Sequence, residues 1–307
     1  MSTLARSLRA LGAAALLGSA SSASALNMAF GDVAVNNLDS WGFTAANSQL
    51  MTDWNGSSGT DQLYQMYGYV GTASGMVAVN SGSFRTGCGT GPAATLCGSA
   101  ITQTGVNTAS SSIVLNQNVG NPGSRLARNA LTLTYDYTLV DDNSAADADS
   151  LVWGVSFTNN TAGSISFVFY TYLDLDLAGT AGNDLVSVVS GGQGIVVSDA
   201  ASSGARPYGW SALNGAASSY QVGAFPGLQN TLNAMTSAGA LANTNTLAST
   251  PGDVTAAFAY TITLAAGETL VMTSVVDEPH TAALLGAGLA GLAFYARPRR
   301  RAKRARA

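Results

Sequence analysis

From Leu26 to Val276 the chain contains no lysine and no histidine. Without an imidazole, this span has no Ser-His-Asp or Cys-His catalysis and no histidine-ligated zinc or copper. Basic charge is scarce as well. Four arginines (Arg85, Arg125, Arg128 and Arg206) stand against fifteen acidic residues, a net charge of −11. Such a field repels nucleic acid and anionic membrane, and leaves neutral glycans, cationic surfaces and divalent cations as compatible partners. Extended helical periodicity is missing too: no such pattern exceeds about ten residues.

What is present is alternation. In "LTLTYDYTLV", Leu131, Leu133, Tyr135, Tyr137 and Leu139 share a face opposite Thr132, Thr134, Asp136 and Thr138, as a half-buried strand requires. The pattern recurs in Leu151, Trp153, Val155 and Phe157, and in Phe258, Tyr260, Ile262 and Leu264. "AAGE" between "TITL" and "TLVMTSVV" predicts a β-hairpin. One-sided strands must bury their apolar faces against another layer, so the expected fold is all-β, an antiparallel β-sandwich, with a barrel as second choice. The stretches 199–220 and 236–250 lack alternation and read as long surface loops; Asn121-Pro122-Gly123 is the best candidate sub-boundary.

The two ends differ from this body. Arg6 and Arg9, the apolar segment Ala10 to Gly18 and the small-residue site Ala23-Ser24-Ala25 read as a secretory signal peptide over 1–25, cleaved after Ala25. At the other end, residues 281–296 carry no charge and are apolar all round, and seven Lys/Arg residues follow. As a helix this run would be ~24 Å long, a short transmembrane segment whose basic tail stays cytoplasmic while the body is exported.

A proline-containing tripeptide, a short Gly/Leu/Ala helix and an arginine cluster together resemble the PEP-CTERM sorting signal of Gram-negative bacteria that make exopolysaccharide. Here the matching residues are Glu278-Pro279 followed by "ALLGAGLAGLAFYARPRRR", with Asp277 where the family has its first proline. The resemblance covers only 277–307. It implies recognition by an exosortase-type membrane enzyme, after signal peptidase and the export machinery have acted. The destination it implies is the cell envelope, outer surface or extracellular matrix.

In an exported protein the only two cysteines, Cys88 and Cys97 in "CGTGPAATLC", read as a disulfide closing a small loop. Carboxylates are the remaining chemistry. In "SFVFYTYLDLDLAGTAGND", Phe167, Phe169, Leu173, Leu175 and Leu177 form one face, with Tyr170, Tyr172, Asp174 and Asp176 on the other. Asp174, Asp176 and Asp184 could ligate Ca²⁺ through hard oxygens, and Tyr170 and Tyr172 could stack on sugar rings. The bland reading is a solvated outer strand face, and it ranks first. The acidic loop 141–150 fails the EF-hand pattern, having Ala145 at a ligand position and no terminal glutamate. No cofactor is required and no catalytic residue is assigned. The functional expectation is an exported structural or glycan-binding component associated with exopolysaccharide; the alternative is a glycosidase or lyase using Asp and Tyr residues.

Overall fold

The computed structural model describes residues 28–30, 33–35, 65–79, 84–86, 96–98, 102–140, 150–177, 181–201 and 208–277. The expected signal peptide over 1–25, Cys88, the loop 141–149, Glu278, Pro279 and the apolar run 281–296 lie outside them. Among the described residues no helix is long and apolar enough to cross a membrane.

The described chain is predominantly β. β1 (Met28–Phe30) and β2 (Val33–Val35) form a two-stranded ribbon. β3 (Gln65–Thr72) and β4 (Gly75–Val79) are followed by β5 (Phe84–Thr86), β6 (Leu96–Gly98), β7 (Thr102–Gln103), β8 (Thr108–Leu115), β9 (Leu131–Val140), β10 (Ser150–Asn159) and β11 (Ile165–Leu175). Then come β12 (Asp184–Val189), β13 (Gly194–Asp199), β14 (Tyr208–Ser211), β15 (Ser219–Ala224), the helix α1 (Gly227–Ala234), β16 (Thr244–Asn245), β17 (Val254–Leu264) and β18 (Thr269–Asp277).

Two large sheets result. The ten-stranded one runs β12-β13-β14-β18-β10-β9-β8-β6-β5, with β7 also on β8; the six-stranded one runs β16-β15-β17-β11-β3-β4. All pairings are antiparallel except β5 with β6 and β15 with β16. The expected hairpin is absent: the two strands flanking "AAGE" go to different sheets, β17 pairing β11 and β18 pairing β10.

The alternation places the core as its period demands. On β9 the residues Leu131, Leu133, Tyr135, Tyr137 and Leu139 are buried while Asp136 faces out. One cluster joins them to Leu151, Trp153, Val155 and Phe157 of β10, and to Phe167, Phe169, Leu173 and Leu175 of β11. Phe157 meets Phe169 edge-on at 4.9 Å and Phe167 at 5.5 Å, so aromatic contacts run from one sheet to the other. A two-sheet body with one shared core is consistent with the expected sandwich.

One local expectation is corrected. The stretch 199–220 contains a strand, β14, which extends the large sheet between β13 and β18. Residues 121–123 sit in the connection between β8 and β9, which pair from Thr108↔Thr138 to Val114↔Thr132, so one sheet runs across the candidate boundary.

Candidate functional site

β11 alternates as its sequence predicts, but both of its faces are covered. Phe167, Phe169, Leu173, Leu175 and Leu177 enter the main core. Tyr170 and Tyr172, expected to be open for sugar stacking, are fully buried in a second cluster with Tyr69, Leu228, Leu232, Leu241, Ala257 and Ala259. The cover is α1 and the segment after it, pinned by hydrogen bonds. Tyr69 Oη donates to Asn233 Oδ1 at 2.8 Å, Tyr170 Oη donates to the Gly239 carbonyl at 2.7 Å, and Ala238 N–H donates to the Thr72 carbonyl at 2.7 Å. Rings closed over in this way have no face for a pyranose.

Beyond the tyrosines, the same face of β11 ends in carboxylates. The register sets Asp174 opposite Thr255 and Leu175 opposite Val254. The end of β11 therefore meets the start of β17, and Asp253, the residue before β17, comes alongside. One carboxylate oxygen from each of Asp174, Asp176 and Asp253 lies within 4.8 Å of the other two; Asp174 is buried and the others are half-buried. Asp253 thus joins Asp174 and Asp176 in place of the expected Asp184. It is the only acidic residue between Asp199 and Glu268, a faint signal, since nothing local says which strand it will stand beside.

Asp184 is nevertheless close by. Its backbone exchanges hydrogen bonds with Gly252, at 3.1 Å and 3.0 Å, and its Oδ2 accepts from Leu177 N–H at 3.2 Å. It is thereby held between the residue that follows Asp176 and the residue that precedes Asp253. The side chain has no exposed surface, and Oδ1 has no hydrogen-bond partner among the described residues. Burial pushes its carboxyl up to about 7; the Leu177 N–H opposes the shift, and the charges of Asp199, Asp176 and Asp253 add to it. Asp176 is also raised, by burial and then by Asp253, and Asp253 is raised by burial. Asp176 Oδ1 is a second buried oxygen without a hydrogen-bond partner among the described residues.

Three carboxylates this close can share protons or hold a hard cation. Glycosidic chemistry requires carboxyls that reach a substrate, and Asp174 and Asp184 are too deeply buried to do so. Elsewhere, an open cleft of about 470 Å³ is lined by the Arg125 side and by Ser124, Ser164, Ser166, Phe167 and Thr261 among others. Cys97 lies in β6, whereas Cys88, its expected disulfide partner, and the expected cleavage residues Ala23 and Ala25 lie outside the described residues. Asp277 closes β18, its backbone paired with Ser150 and Gly209.

The sequence matches no family model and no curated protein. Solved structures to which the chain is similar include a bacterial glucoamylase complexed with acarbose, at TM-score 0.47 and 9% identity over 88% of this chain and 35% of that one. A putative kojibiose phosphorylase from human microbiome gives 0.41 and 10% over 88% and 31%. A polysaccharide lyase gives 0.34 and 12% over 74% and 30%. The chain spans about a third of the length of each. At these values they assign no activity or substrate to this chain.

Proposed function

We propose that this is an exported protein of the cell envelope or extracellular matrix, sorted through its PEP-CTERM-like tail, whose antiparallel β-sandwich body is a structural or glycan-binding component beside exopolysaccharide. The observation that carries this reading is the order of the tail: Glu278-Pro279, an uncharged run over 281–296, then seven basic residues. Its partners are an exosortase-type membrane enzyme and, at the other end, signal peptidase. The end of β18 at Asp277 supports it, since removing everything past Pro279 deletes no described strand. A glycan would meet the cleft lined by Arg125, where serine and threonine residues stand beside Phe167 and Ile165.

The test is the intact mass of the extracellular form made in a cell that carries an exosortase. The expected product begins at Leu26 and ends near Pro279. An extracellular product that keeps Ala307 would refute sorting by this tail. On a glycan array, binding without release of reducing ends is expected. Turnover that disappears in Asp174→Asn or Asp176→Asn would replace this reading with the glycosidase or lyase.

A further inference from the structure

We propose that the outer face of the ten-stranded sheet, where β8, β9, β10 and β18 lie side by side, is the surface on which a second copy of this chain packs. The four strands are in register: Thr269↔Thr158↔Thr132 marks one end of the face and Val275↔Val152↔Thr138↔Thr108 the other. Alternate residues of each strand enter the core, so the others form a four-by-four array turned away from it. Its sixteen positions are seven threonines, four valines, three serines, Gly154 and Asp136. A sheet face that stays in water is ordinarily kept there by long charged side chains. This one has a single charge, with no lysine and no arginine.

Of the five large apolar residues that are exposed among the described ones, Val140, Val271 and Val275 lie on this face or at its margin, and Val271 is 59% exposed. Threonine and valine have the same shape, so the surface is of even height, as two sheets stacking ~10 Å apart require. Hydroxyls also find partners within the array. Thr158 Oγ1 and Thr269 Oγ1 are 2.9 Å apart, and Thr134 Oγ1 donates to Ser112 Oγ at 3.4 Å, so both pairs can be covered without losing their bonds. Four strands ~4.8 Å apart, followed along the nine residues of β18, span roughly 19 Å by 30 Å. Two such faces hide roughly 1,100 Å² of plane, above the ~1,000 Å² that a specific interface needs. Chemistry selects the occupant. No aromatic ring stands in the array to stack on a sugar, and one acid without a base offers little to a charged partner. An even, uncharged threonine and valine surface is complemented by one like itself, which a twofold axis supplies. Each copy carries −11 between Leu26 and Val276, so two copies repel and approach at least cost through the face with fewest charges. Self-association should therefore tighten as salt rises, the opposite of a contact made by ion pairs. All sixteen residues precede Asp277, so the contact does not depend on how the tail is processed.

Sedimentation equilibrium of the full-length chain from about 1 to 100 µM tests this, the expected result being a rise from one chain to two with a micromolar dissociation constant. Thr134→Arg on β9 and Ser156→Arg on β10 each set a long cation into the face, and each should weaken the dimer by roughly tenfold or more. Thr263→Arg, on the exposed side of β17 in the other sheet, adds the same charge and should leave it unchanged. Near-ultraviolet circular dichroism matching the unmodified chain separates loss of the contact from loss of the fold. One readout needs no variant: the urea midpoint of the unmodified chain should rise with protein concentration, because dissociation accompanies unfolding. A single chain at every concentration, a midpoint independent of concentration, a dimer that tolerates both arginines in the face, or one that Thr263→Arg breaks equally would each overturn the proposal.

Discussion

Asn159 has no exposed surface, and its whole side chain is engaged. Nδ2 faces the carbonyls of Gly163, Leu264 and Ala265 at 2.7, 3.3 and 2.8 Å, while Oδ1 accepts from Thr161 N–H and Oγ1 at 2.9 and 2.8 Å. It ties the β10–β11 turn to the β17–β18 turn, one amide serving both sheets. In the sequence the triplet Asn159-Asn160-Thr161 looks only like a glycosylation sequon. Asn159→Asp would set a carboxylate against three carbonyl oxygens, and should lower the unfolding free energy by about 2–4 kcal/mol in urea titration. Asp184 predicts a pH effect. Its carboxyl stands near 7 when folded, against an ordinary 3.8, so between those values the folded chain holds a proton that the unfolded chain has lost. Stability must then fall as pH rises from about 4 through about 7. Asp176 and Asp253, also raised, act in the same sense. With chelator present, the urea midpoint at pH 8 should be lower than at pH 5, and Asp184→Asn should remove most of the difference. A flat profile would contradict the burial of a carboxyl whose only hydrogen bond among the described residues comes from Leu177 N–H.

At the scale of elements, α1 decides what the outer face of the six-stranded sheet can do. Its Leu228 and Leu232, one turn apart, press on Tyr69, Tyr170 and Tyr172 and convert a stripe of tyrosines into core. Leu232→Ala should cost about 2–4 kcal/mol by loss of buried contact. Hydrogen exchange should then rise first in 227–241 and only later in β11, since the helix is a cover and not a ladder member. β18 poses a competition. Asp277 stands where the PEP-CTERM tripeptide has a proline and is also the last paired residue of the strand. On the proposed sorting reading, recognition of the tripeptide would be helped if that end of β18 opened. Asp277→Pro removes a backbone N–H from the strand end and restores the family pattern, so the processed fraction, read by intact mass, should rise. An unchanged fraction would mean that neither the strand end nor the first tripeptide residue limits recognition.

For the whole molecule, the order of strands matters more than their number. The chain crosses repeatedly between sheets: β3 and β4 begin the small one, β8 to β10 build the large one, β11 returns, β12 to β14 leave again, and β17 and β18 divide between the two. Neither sheet can form without segments from both halves of the sequence. The turns interlock as well: a Cβ on Gly75 would overlap the backbone of Gly120, in the connection after β8. The body should therefore unfold in one cooperative transition, with near-ultraviolet and far-ultraviolet signals coincident in denaturant. Two separated transitions would restore a division near 121–123.

The facing of each strand was legible in the sequence, because period-two alternation is a local property of the backbone: Leu131 to Leu139, Leu151 to Phe157 and the inward residues of β11 all lie where their spacing puts them. The composition of the tail and the absence of lysine and histidine in the body are likewise matters of sequence alone. Only the tertiary structure decided that the tyrosine face of β11 is roofed by α1, that "AAGE" links two sheets, and that Asp253 stands with Asp174 and Asp176. Each depends on which strands become neighbours. The pairing of β11 with β17 joins residues about eighty to a hundred positions apart, and it is chosen by how the faces of the whole body pack, which no pattern along a single strand contains.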